Sequence, residues 1–143
     1  MNKDFLRAYP AYASYQEALR EIFEKPANAF AERFPHLAQS WEPYLRSLFD
    51  REFDIDSIRK AASDNRDFHQ WLLDKNVDLI DIPSSLVDGF IRDVRARFRK
   101  RNKHPMDSRA ALDIRGAIES FLTFAAHQHN AASRKPPVSG AGP

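Results

Sequence analysis

Six cations crowd residues 95–103 with no acid among them: Arg95, Arg97, Arg99, Lys100, Arg101 and Lys103. Arg92 stands just before them. On a helix, at about 100° per residue, Arg92, Arg95, Arg99 and Lys103 fall within a sector of roughly 80°. An apolar stripe, Val87, Ile91, Val94 and Phe98, runs along the same segment. It lies about 120° around from the cations, so the core can hold one flank while the other faces outward. A rigid cationic ridge suits phosphate: guanidinium groups fork onto phosphate oxygens, and a positive field draws in a polyanion and releases its counter-ions. Plainer accounts compete. The helix dipole favours cations near a C-terminus, and a charged face is often only solvated. Asp88 with Arg92 and Asp93 with Arg97 can also pair at i,i+4 and partly neutralise the ridge. The density exceeds what helix stability needs. Phosphate contact therefore comes first, ahead of a merely solvated face and of an acidic protein partner.

Other chemistry is sparse. There is no Gly-rich phosphate loop and no His-Glu-x-x-His. His127 and His129 lie about 200° apart on a helix and cannot share a metal there; no metal and no cofactor are expected. Arg99 and His104 have the spacing of the Arg–His pair in helical ribonuclease toxins of the HEPN type. That resemblance would imply RNA cleavage, but Pro105 follows directly and an Arg-rich run produces such spacings by accident. Asp50, Glu52, Asp54 and Asp56 alternate as converging nuclease carboxylates would. They read better as the end of one helix and the cap of the next. Tyr9, Tyr12 and Tyr15 recur every third residue, a pattern that serves either a protein interface or a core helix reaching the surface. With so few aromatics beside the ridge, backbone contact with a duplex is favoured over base stacking.

The positions of these residues depend on a helical chain. β-branched alternation is almost absent, and the one short strand candidate is Val77–Ile82, ended by Pro83. Elsewhere apolar residues recur at three and four. Helices are expected over about 11–24, 27–34 and 40–51, the last with Ser40 as cap, Pro43 in its first turn and Trp41, Leu45, Leu48 and Phe49 inward. Asp54 or Asp56 caps one through Ala62, and Asp64 or Asn65 caps another to Lys75. Ser84 or Ser85 opens a helix to about Arg101, and Asp107 or Ser108 opens the last, to about Gln128. That last helix turns Ala111, Ile114, Ile118, Phe121, Leu122 and Ala125 inward. The expected fold is all-α, a compact bundle of six or seven helices with a disordered C-terminal tail.

Composition agrees. The chain has 143 residues, 43% hydrophobic and 12% aromatic, enough to bury a core, and no cysteine. Disulfides, thiolate zinc sites and cysteine nucleophiles are thereby excluded. No stretch reaches the roughly 20 apolar residues of a spanning helix, and the charged N-terminus does not resemble a secretory signal; a cytoplasmic protein without membrane association is expected. The net charge of +2 conceals an asymmetry: residues 1–83 carry 11 Lys and Arg against 15 Asp and Glu, residues 84–143 carry 11 against 5. An acidic, aromatic-rich part (1–83), a basic two-helix part (84–130) packed on it, and a tail (131–143) are the expected divisions.

One further resemblance bears on partners. The run Leu86-Val87-Asp88-Gly89-Phe90-Ile91-Arg92-Asp93-Val94-Arg95-Ala96-Arg97, the Pro105 loop, and Ser108 through Ile118-Glu119-Ser120-Phe121-Leu122-Thr123-Phe124-Ala125 resemble the SAM-like core-binding domain of tyrosine recombinases and phage integrases. The resemblance covers about a third of the chain, residues 84–129. It implies a helical clamp on duplex DNA, with Arg95, Arg99, Lys100, Arg101 and Lys103 near the backbone. The family's catalytic Arg, His and Tyr constellation is absent. The expected function is thus a non-enzymatic accessory protein that binds nucleic acid, duplex DNA before RNA. A protein-interaction module (an inhibitor, immunity factor or assembly adaptor) is the alternative. It would use the ridge or the tyrosines on a protein partner or a second copy.

Overall fold

The computed structural model describes residue 20 and residues 23–134. Among them the chain is all-helical, with five helices: α1 Asn28–Arg33, α2 Pro35–Asp50, α3 Ile55–Asp74, α4 Ser84–Asn102 and α5 Ser108–Arg134. The helix expected over 11–24 lies almost wholly outside the described residues.

Two expected boundaries dissolve. Asp64 and Asn65 do not open a new helix; α3 runs straight through them. Asn65 is buried instead, its amide Nδ2 donating to Ala61 O at 2.9 Å and to Ala117 O at 3.2 Å. Asp64, its own side chain largely buried, pairs with the exposed Lys60, 3.1 Å away. Good capping residues thus serve as a core polar link and as one half of a partly buried ion pair. Likewise α2 begins at Pro35, not near Ser40, and Pro43 sits inside it. Ser40 bonds back to the His36 carbonyl, 3.0 Å away, as mid-helix serines do. An interior proline costs about 3 kcal/mol. Burial of Leu37, Trp41, Tyr44, Leu45 and Leu48 along the same helix offsets it, at roughly 1.5–3 kcal/mol for each large side chain.

Residues 77–82 form no strand; they are an irregular link between α3 and α4. Pro83, not Ser84 or Ser85, holds the N-cap position of α4, and neither serine supplies a cap bond. Asp107 does cap α5, accepting from the Arg109 N–H at 3.0 Å. That helix continues past Gln128 to Arg134, so residues 131–134, expected in a tail, are helical. Residues 135–143 lie outside the described residues.

Helix α5 is the organising element, packing against α2, α3 and α4. The core is largely aromatic. Phe121 meets Trp41 and Tyr44 edge-on, with ring centroids 5.6 and 5.3 Å away, and Phe90 of α4 meets Phe68 of α3 at 5.3 Å. Edge-to-face pairs of this kind add about 0.5–1.5 kcal/mol beyond their buried area. His69 is buried within the same cluster, stacked on Phe30 at 4.0 Å with Trp41 and Phe121 beside it. Among the described residues, no helix is long and apolar enough to cross a membrane.

Candidate nucleic-acid interface

The first half of α4 belongs to the core. Val87, Phe90 and Ile91 are buried, and Gly89 lies under Trp71 with no room for a large side chain: a Cβ there would stand 3.4 Å from the indole. Val94 is the last residue of the helix packed on this core. Beyond it the helix continues outward. From Arg95 to Asn102 every side chain is exposed except Phe98. Phe98 was expected to extend the core stripe. It is half-buried and covered instead by the edge of the His104 ring, 5.4 Å away. Residues 95–102 therefore form a projecting arm, about 12 Å long at 1.5 Å per residue.

The arm ends on Lys103, whose backbone is left-handed (φ 65°) and whose N–H closes onto Arg99 O at 2.8 Å. This conformation usually favours glycine, and a side chain there costs roughly 1–2 kcal/mol. It turns the chain back through Pro105 towards α5.

Arg92, Arg95, Arg97, Arg99, Lys100, Arg101 and Lys103 are all exposed. None stands within ion-pair distance of a carboxylate among the described residues. The expected neutralising pairs do not form, because the neighbouring helices offer better partners. Asp88 is taken by Arg115 of α5, which also reaches Glu119 at 3.4 Å. Asp93 accepts from the Trp71 indole N–H at 2.9 Å and lies 3.8 Å from Lys75. The indole bond holds the Asp93 carboxyl below the usual carboxylate range, with smaller contributions from Lys75, Arg92 and Arg97. Both acids of α4 are therefore turned towards α3 and α5.

The remaining sequence candidates separate from this surface. Tyr9, Tyr12 and Tyr15 lie outside the described residues. Arg99 is exposed on the arm, while the His104 Nδ1 lies 3.0 Å from the Pro105 carbonyl and the ring covers Phe98. Asp54 holds the N-cap position of α3 without a side-chain bond, and Asp56 sits in the first turn. Among the described residues no group of three or more His, Asp or Glu side chains is placed to hold a metal ion. His129 meets His36 of α2, with ring centroids 5.6 Å apart.

No family model, no curated protein and no solved structure matches the chain.

Sequence reasoning missed the partners of Asp88 and Asp93. Helix spacing reveals only neighbours on the same helix, whereas Trp71, Lys75 and Arg115 come from other elements. It also missed the exposed apolar residues Leu79, Ile80 and Leu112, at 50%, 73% and 62% exposure. The first two lie in the segment that was a strand candidate.

Proposed function

We propose that the chain is a small accessory nucleic-acid-binding protein, with DNA preferred over RNA, that contacts phosphates through Arg92, Arg95, Arg97, Arg99, Lys100, Arg101 and Lys103. The observation that carries this proposal is the divorce of charges on α4: its cations are exposed without carboxylate partners among the described residues, and its acids are held by Trp71, Lys75 and Arg115. A surface whose cations only served helix stability would be expected to pair them at i,i+4, at a few tenths of a kcal/mol each. In this proposal the chain supplies binding rather than catalysis. The resemblance of residues 84–129 to the recombinase core-binding domain points to the same partner.

The test is fluorescence anisotropy with a labelled duplex at about 50 mM salt, using the unaltered chain and a variant with Arg95, Arg99 and Arg101 changed to Glu. The unaltered chain binds, its affinity falls steeply with salt, and the variant loses most of that affinity. Negligible binding to DNA and RNA alike refutes the proposal. A flat salt dependence refutes phosphate contact as its mechanism.

A second reading, an adaptor docking on a protein, draws on the exposed Leu79 and Ile80 between Asp78 and Asp81. Capture of a partner from lysate that survives nuclease treatment, together with failure of the duplex test, would select it.

A further inference from the structure

The arm carries its cations on two sides. With Phe98 as reference and 100° per residue, Arg95 and Arg99, and Arg92 one turn below the arm, lie about 60°, 100° and 120° around in one direction. Arg97 and Arg101 lie about 100° and 60° around in the other, and Lys100 stands near the crest, about 160° from Phe98. All six are exposed, and only the Phe98 line is covered. A ridge that met one phosphate strand would need one of these flanks. The other would be left in solvent, adding self-repulsion and no contact.

From this two-sided placement we infer that the arm enters a groove of duplex DNA, with Arg92, Arg95 and Arg99 on one phosphate wall and Arg97 and Arg101 on the other. The inference rests on the nucleic-acid reading and specifies how that same surface is used. The dimensions agree. A helix with its side chains is about 10–12 Å across, and the major groove of B-form DNA is about 12 Å wide and 8.5 Å deep. The arm is narrow enough to enter because α4 has left the core by Arg95. Long guanidinium side chains on its two flanks then reach outward to opposite backbones. The major groove of A-form RNA is too deep and narrow to admit it, and a single strand offers only one wall.

The experiment separates the flanks. Anisotropy is measured with a 20-base-pair DNA duplex, an RNA duplex of matching sequence and a 20-nucleotide single strand. The proteins are the unaltered chain, Arg95→Glu with Arg99→Glu, and Arg97→Glu with Arg101→Glu. Circular dichroism checks that each variant is folded, and the two Gln double variants repeat the comparison without charge reversal. The unaltered chain should prefer the DNA duplex. Each double variant should lower affinity roughly tenfold or more, and each should reduce the slope of log affinity against log salt by about 2. A ligand occupying the major groove should compete, and one occupying the minor groove should not. If one flank can be reversed without effect, or if single strands bind as tightly as the duplex, the groove inference is overturned while phosphate contact stands. If the unaltered chain binds no nucleic acid, both fall together.

Discussion

Acidification should unlock the core at one residue. His69 is 4% exposed, lies among Phe30, Trp41 and Phe121, and has no hydrogen-bond partner at Nε2 among the described residues. Burial, and secondarily the Arg66 charge, lower its pKa from 6.5 to about 3. In the unfolded chain the same ring protonates near 6.5, so between these values the unfolded state binds more protons. Stability contributed by the neutral ring is therefore fully present above 6.5 and is lost as pH falls towards 3. Each pH unit in that window costs about 1.4 kcal/mol. Moving from pH 7 to pH 5 removes about 2 kcal/mol, and reaching pH 3 removes about 4 kcal/mol, a large part of the whole stability of many domains. The assay is urea unfolding of the unaltered chain and of His69→Phe at both pH values. Phenylalanine keeps a flat ring against Phe30 and cannot titrate. Comparing each protein with itself cancels the packing change and the opposite effect of Asp64, whose carboxyl is raised chiefly by burial. The unaltered chain should lose about 2 kcal/mol more than the variant between pH 7 and pH 5. Equal losses would refute the claim that His69 is folded in neutral form.

Three substitutions test other parts of the fold. Phe121→Ala should destabilise by about 3–5 kcal/mol in urea unfolding, because it empties a site between Trp41, Tyr44 and His69. Gly89→Ala should stabilise by up to about 1 kcal/mol, seen as a higher urea midpoint, since a helical glycine is replaced and its Cβ would meet the Trp71 indole at an ordinary contact of 3.4 Å. Lys103→Gly has two readouts: it should stabilise by about 1 kcal/mol by relieving the left-handed backbone and should reduce the salt slope of duplex binding by about 1. A stability gain with an unchanged slope would remove Lys103 from the phosphate-contacting set.

Local chemistry made α4 and α5 readable. Val87 and Ile91, and then Ala111, Ile118, Phe121 and Ala125, repeat at helical steps and are buried. Asp107 announces the start of α5 and does cap it. What local chemistry could not settle was competition between a residue's two uses. Asn65 is a good cap by type, but Ala61 and Ala117 offer its amide acceptors in the interior, and α3 continues. Ser40 beside Pro43 looked like a beginning, yet the burial of Leu37 favours starting the helix at Pro35. The candidate surface divides in the same way. Its seven cations were evident from composition and phase. Their lack of carboxylate partners among the described residues was not, because it depends on Trp71, Lys75 and Arg115, each brought from another part of the chain by the fold.

The diversion of Asp88 and Asp93 has a kinetic consequence. Among the described residues, an anion approaching the arm has no ion pair to break before it is bound; only water and mobile ions must leave. Encounter should then proceed without a rearrangement step, at a rate set by diffusion in the field of the exposed cations and slowed by added salt. Trp71 and Arg115 would thereby govern how fast the surface is found without touching what it finds.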